Sequence, residues 1–387
     1  MTASVGSTEN AAKRILQSVQ DLAPAIAARA GEIEEARRVP KDLLDKLTAA
    51  GCFRVLVPRS HGGIGADLAS AMRVFEQLSR ADASVGWIVM LGASTWIDIA
   101  SLPKATFDSL YAKGPDIFLS GVISPMGARA IPADGGYRVS GRWTFASGCQ
   151  HAQWLYGNTI ENPETHSMRI ALFSPDQVKI EDTWRVSGLA GTGSHDFVAE
   201  NVFVPAERTF QLFADEPSLD VPLLRIPVPA LLGMEIASAA LGIARGALDD
   251  VVGLASKKVP LLDQTPLVAN PLFQHRIGTV DVMLRAARSL LYAEAEDAMA
   301  AAIANAEFTP QRRARMRSAS TWAATTAASV VDTAYTAAGG SSVYLRHPLQ
   351  RRLRDVHALT QHFLIKLDTL TASGAVLAGA EPNLMLF

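Results

Sequence analysis

The sequence predicts a mainly α-helical protein with a β domain in its middle, ordered as helical domain, antiparallel barrel or sandwich, and four-helix bundle. Three observations predict this. Apolar residues recur at helical spacing up to about residue 117. The texture then changes to Gly-Gly turns, prolines, β-branched residues and aromatics as far as about residue 229. From 230 to 387 long alanine-rich segments return with only short breaks. The expected domains are therefore 1–117, 118–229 and 230–387.

In the first of these, Ile15, Val19, Leu22 and Ile26 lie on one helical stripe, as do Leu43, Leu44 and Leu47. Leu68, Met72, Phe75 and Leu78 mark a helix over 67–80. The stretch Val85 to Ile99, with Trp87 and Trp96, is apolar all round and predicts a buried helix. Strand-like runs follow at Tyr137–Ser140, Trp143–Phe145, Trp154–Thr159, Ile170–Phe173 and Phe197–Val204, separated by turn residues. Four long helical segments close the chain: 230–256, 271–306, 309–338 and 349–379. Their small residues permit close packing and suit self-association.

The bulk numbers narrow the function. Of 387 residues, 49% are hydrophobic and 19% charged, with a mean hydropathy of +0.15, which excludes disorder for most of the chain. A net charge of −2 implies no nucleic-acid surface. Two basic clusters, Arg312–Arg317 and Arg346–Arg354, read as solvated helix faces and ends, or as contacts to a phosphate-bearing ligand. Two cysteines, Cys52 and Cys149, make no disulfide framework and fit a reducing, cytoplasmic setting. No apolar run reaches the roughly 18 residues of a membrane span, so no membrane partner is expected.

Familiar chemical templates are lacking. Phe53–Val57 followed by Gly62-Gly63-Ile64-Gly65 resembles a strand entering a glycine loop, but it lacks the dinucleotide fingerprint and reads as a structural turn. Gly191–Ser194 likewise reads as a turn. His357 and His362, placed on one helix, stand about 140° apart and do not chelate one ion; no metal is expected.

The run Gly135 to Gly148 (GGYRVSGRWTFASG), Gly188 to Asp196 (GLAGTGSHD), Asn201–Pro205 and the closing Pro348–Asp355 (PLQRRLRD) together resemble the acyl-CoA dehydrogenase superfamily. The resemblance spans roughly residues 12–380. It implies a departure as well. Many family dehydrogenases carry a catalytic glutamate eight positions after the aspartate of the closing motif, and Phe363 stands there, which cannot accept a proton. A dehydrogenase with its base on another helix is the alternative. A non-catalytic descendant of the scaffold is a further rival.

His362, just before Phe363, together with Phe145-Ala-Ser-Gly148 is similar to the two-component flavin monooxygenases. That resemblance implies an oxygenase that takes reduced flavin (FMNH2 or FADH2) from a separate reductase. With O2 it forms a C4a-hydroperoxyflavin and oxygenates an aromatic or heteroaromatic substrate. It implies His362 as the acid/base group, whose neutral-range pKa suits the task, and Ser147 near flavin N5. It further implies Val122, Ser124, Phe145, Lys257 (or Lys258), Gly339 and Gly340 around the cofactor, the two glycines from a neighbouring subunit of a homotetramer. Trp87, Ser94, Trp96 and Phe363 are the expected substrate-pocket residues. Some relatives place a second histidine near Leu91–Trp96; this chain has none.

Overall fold

In the computed structural model, residues 2–125, 127–165, 167–212 and 214–380 are described. The described residues run through six α-helices, eight strands and five further α-helices. The first six are α1 (Thr2–Ala28), α2 (Ala30–Ala36), α3 (Lys41–Ala49), α4 (Leu68–Ala81), α5 (Ala83–Asp98) and α6 (Lys104–Tyr111). Aspartates start the two that matter most. Asp67 accepts from Ser70 N at 2.8 Å and Asp82 from Val85 N at 3.0 Å, satisfying amides that a helix start leaves open. From Ala83 to Ile97 nearly every side chain of α5 is buried, so this helix is the centre of its domain.

The strands are β1 (Leu119–Val122), β2 (Arg129–Ala133), β3 (Gly136–Trp143), β4 (Trp154–Asn162), β5 (Ser167–Phe173), β6 (Lys179–Glu181), β7 (Asp196–Pro205) and β8 (Thr209–Gln211). They form one sheet in the order β6-β7-β3-β2-β4-β5-β8, with β1 also on β4. Pairing is antiparallel except that β1 and β2 run parallel to β4. Trp143 ends β3 and stacks on Phe197 at 4.8 Å between centroids, with Phe173 tilted beside it; this is the core of the β layer. The strand expected to reach Phe145 stops here, because Phe145 takes φ +65 and turns the chain away.

The C-terminal helices are α7 (Val228–Ala255), α8 (Pro271–Ile303), α9 (Pro310–Ala337), α10 (Pro348–Leu359) and α11 (Asp368–Leu377). Asn270, Thr309 and His347 cap α8, α9 and α10, each followed by a proline at the first helical position. Helix α7 packs on α4, α5 and α9. It is long and apolar enough to cross a membrane, which corrects the reading that no run is; but 89% of its apolar window is buried within the protein, as a core helix. Its backbone meets α4 at Gly242, where a Cβ would come within 2.1 Å of Glu76 O.

The segment 53–65 is a structural turn, as expected: Cys52–Arg54 is a 3-10 turn, and the backbone folds back so that Ile64, Gly65 and Ala66 donate to Arg54, Val57 and Val55. One expectation needs correction. The predicted helix 349–379 breaks after Leu359, and Phe363–Ile365 forms a separate 3-10 turn before α11. His357 and His362 therefore do not share a helix.

Two of the resemblance motifs dock on each other. The Leu189 amide donates to Asp355 Oδ1 at 2.7 Å, and Arg354 Nη1 reaches Ser187 O at 2.6 Å. Gly188 lies against α10 so closely that a Cβ would sit 2.1 Å from Arg354 O. Gly188→Ala should therefore cost about 1–3 kcal/mol through overpacking, seen as a lowered urea midpoint. Gly278→Ala, where a Cβ meets nothing within 4 Å, should leave the midpoint unchanged or slightly raised.

Candidate functional site

Helix α5 positions the site. At about 100° per residue, Trp87, Leu91, Ser94 and Asp98 fall on one stripe, while Trp96 falls about 180° from Trp87. Trp96 is 1% exposed and belongs to the core of the helical domain, so the structure does not bring it to Trp87.

Trp87 Nε1 donates to Ser147 Oγ at 3.1 Å. Ser147 Oγ pairs with Ser194 Oγ at 2.7 Å, Ser194 with Thr192 Oγ1 at 2.7 Å, and Thr192 donates to Leu189 O at 2.7 Å. Behind them Ser120 Oγ donates to Ser147 O at 2.8 Å, and the Ser147 amide donates to Phe145 O at 2.9 Å. These hydroxyls are all buried. The chain of bonds ties α5, β1, the turn after β3 and the Gly191–Ser194 turn into one wall. Ser147 is thus an internal link of the wall, with hydroxyl and amide both engaged.

The Trp87 ring meets His362 edge-on at 5.7 Å, and Phe363 stacks on the imidazole at 5.0 Å. His362 stands at the start of the 3-10 turn, where its Nδ1 accepts from Leu364 N at 3.3 Å. That bond assigns the neutral tautomer's proton to Nε2, which becomes an N–H donor. Burial, and then the positive charge of Arg317, push the His362 pKa down to about 4. Arg317, in α9 and 1% exposed, donates from Nη1 to Leu364 O and to Pro229 O (3.0 Å), so it also holds the turn that carries His362.

Of the other expected residues, Phe145 is 68% exposed and edge-on to Trp184 at 5.8 Å, and Phe363 is 61% exposed. Val122 is half-buried and packs on the β core, and Ser124 lies exposed beyond the end of β1. Ser94 is buried and donates to Glu235 Oε2 at 2.8 Å. Gly339 and Gly340 sit in the turn between α9 and α10. Lys257 is exposed; its neighbour Lys258 makes the contact to that turn, donating to Ala338 O and to Ser341 Oγ (3.0 Å). An open cleft of about 490 Å³ between α9 and residues 360–368 contains none of the expected site residues. Among the described residues no three His, Cys, Asp or Glu side chains gather into a metal-binding group.

Sequence reading missed Glu235 and the pair Asp98–Tyr156, and it placed Arg317 only within a basic cluster, although Arg317 is buried. Two carried a signal: a lone acid inside the apolar run of α7, and an acid ending the apolar α5. Glu235 is 1% exposed, and burial raises its pKa to about 8. Burial raises Asp98 to about 6, although Tyr156 OH donates to its Oδ2 at 2.5 Å.

Comparison with known proteins fits this geometry. The chain matches the acyl-CoA dehydrogenase N-terminal domain over residues 9–102 and the acyl-CoA dehydrogenase C-terminal domain over 234–367. It is 33% identical to an indole-3-acetate monooxygenase of Pseudomonas putida, over 92% of this chain and 91% of that protein. It is 32% identical to the oxygenase component of an FADH2-dependent resorcinol hydroxylase of Rhizobium sp., over 96% and 95%. The crystal structure of 3-HSA hydroxylase from Rhodococcus sp. RHA1 matches with a TM-score of 0.86 at 27% identity, covering 95% of this chain and 97% of that one. The chain therefore belongs to the acyl-CoA dehydrogenase superfamily, in its two-component flavin-dependent monooxygenase branch. It is an oxidoreductase, the oxygenase component of such a system, and works with reduced flavin; the dehydrogenase alternative is not favoured.

The residues present fit a flavin. Phe145 is a bulky residue held at φ +65, an unusual conformation for its type, with its ring turned outward. Its exposed ring is an aromatic surface that a planar ring system such as a flavin would fit.

The Arg317 arrangement predicts a measurable titration. Above about pH 6.5 both folded and unfolded chains hold His362 neutral. Between its ordinary value of 6.5 and about 4 only the unfolded chain takes the proton, so this residue lowers stability as pH falls through that window. Arg317→Met removes the opposing charge, and the His362 pKa should rise towards 6.5, read by NMR titration of its ring protons.

Proposed function

We propose that this protein oxygenates an aromatic or heteroaromatic compound at the Trp87–His362 edge of the wall, with Phe145 against the flavin ring. The observation that carries this reading is the convergence on Trp87 of two elements far apart in sequence. Ser147 of the β domain accepts its N–H, and His362 of the C-terminal region meets its ring. The substrate class is further supported by the relatives, whose names specify indole-3-acetate and resorcinol as substrates. Bound reduced flavin supplies two electrons to O2, one oxygen atom going to the substrate and the other leaving as water.

In this reading the chain's own residues divide the work. Trp87 and Phe363 pack on the His362 ring and orient it. His362, uncharged at neutral pH, holds a proton at Nε2 and donates it as a hydrogen bond to the oxygen at the reacting edge. Ser147 keeps Trp87 in place and fixes the turn that carries Phe145. A reductase supplies the reduced flavin, by diffusion or by contact. The setting is cytoplasmic, in keeping with the two free, buried cysteines.

A homotetramer formed through the C-terminal helices belongs to the same proposal. Exposed Leu272, Val282 and Leu290 on α8, Trp322 on α9, and Tyr344 and Leu345 after the Gly339–Gly340 turn supply an apolar surface for it. A solution mass by light scattering near four times 41.3 kDa is expected.

The decisive assay mixes the protein with photoreduced FMN or FAD, an 18O2 atmosphere and resorcinol or indole-3-acetate. Incorporation of one 18O atom per product is expected. In His362→Asn, product formed per reduced flavin should fall by a factor on the order of 100, with flavin oxidation continuing. Full product yield from that variant would remove His362 from the chemistry.

A further inference from the structure

Among the described residues, six other than glycine hold a positive φ, and three of them meet at Trp184. This tryptophan is half-buried in the connection between β6 and the Gly191–Ser194 turn. Arg37, at φ 49, donates from Nη1 to Trp184 O at 3.2 Å. Leu189, at φ 54, accepts from the indole Nε1 at 3.1 Å. Phe145, at φ 65, meets the indole ring at 5.8 Å with the two planes 79° apart. Bulky residues in this conformation are uncommon. They persist where the surroundings hold them, and they gather at functional sites.

Arg37 is the least expected of the three. It closes α2 in the left-handed conformation, where glycine is the favoured residue. The guanidinium supplies the reason for an arginine. It donates to both carboxylate oxygens of Asp182, from Nη2 to Oδ2 at 2.9 Å, as well as to the Trp184 carbonyl. An exposed single ion pair stabilises little, but a planar fork on a carboxylate is stronger and fixes direction. The same segment is held from the β layer, where the Trp184 amide donates to His195 Nδ1 at 3.2 Å. Burial lowers the His195 pKa, so this nitrogen remains an acceptor near neutral pH. Phe145 itself is 68% exposed, and Trp184 is the ring that limits how it turns.

We propose that Arg37 is a positioning residue of the flavin site: with Asp182 it anchors Trp184, and Trp184 sets the orientation of the Phe145 ring. This rests on the reading that Phe145 lies against the flavin. Arg37 belongs to the connection between α2 and α3. The first helical domain thus sets a cofactor contact made by the β domain, without touching the flavin itself.

The test follows binding of oxidised FAD or FMN, whichever wild type holds more tightly, to the full-length protein by quenching of flavin fluorescence. Arg37→Met keeps a side chain of similar reach and removes the fork. Its Kd should rise about tenfold, the equivalent of one charge-assisted hydrogen bond. Arg29→Met removes a comparably paired arginine at the start of α2, bound to Glu32 and Asp42, and its Kd should not change. Trp184→Ala should raise the Kd at least as much as Arg37→Met. Adding Arg37→Met to Trp184→Ala should raise it no further, because a residue that acts only through Trp184 then has nothing to act on.

An unchanged Kd in Arg37→Met, an equal rise in Arg29→Met, or a further large rise in the double variant would each overturn the proposal. If the urea transition shows that Arg37→Met does not fold, Asp182→Asn breaks the same clamp, and an unchanged Kd there overturns it equally. Wild type that leaves flavin fluorescence unquenched would sink the placement of Phe145 at the flavin, and this proposal with it. Quenching by wild type with no effect of Arg37→Met sinks this proposal alone.

Discussion

The hydrogen bond from Trp87 to Ser147 is the constraint on which the site depends. It joins a helix of the first domain to the turn that leaves β3, and that turn determines where Phe145 points. Ser147 is in turn held by Ser194, Ser120 and its own amide, so the wall has no spare freedom. A network in which every hydroxyl is paired is rigid, whereas an unpaired member inside the protein would be costly. Such rigidity suits a surface that must hold a planar cofactor against a substrate.

The second constraint is the break after α10. Nothing in Thr360-Gln361-His362 is a strong helix breaker. The helix ends there because Arg317 takes the carbonyl of Leu364 and His362 caps the following amide. Arg317 does two jobs with one charge, holding the turn and opposing protonation of the imidazole. On this turn the imidazole meets both Trp87 and Phe363.

The wall is uneven in polarity along α5. Near Trp87 it offers aromatic edges and one imidazole; two turns on it offers carboxyls with free oxygens. An apolar pocket with a few fixed polar groups gains its selectivity from those groups, since each rejects a ligand that leaves it unpaired.

Much of the fold was legible in the sequence. Helical stripes and the change to strand-like texture at the centre depend on local spacing, which survives folding unchanged. The sequence by itself determined the helical–β–helical order and the core faces of its helices. Only the tertiary structure decided that Trp87 joins Ser147 to His362, that Trp96 turns away, that Lys258 and not Lys257 meets the Gly339 turn, and that the last long helix breaks. Each of these rests on contacts between residues tens to hundreds of positions apart, where no local periodicity records which side chain finds which carbonyl. Glu235 shows the limit most plainly. Its sequence context reads as one acid in an apolar helix, and burial against α5 is what makes it an uncharged acceptor.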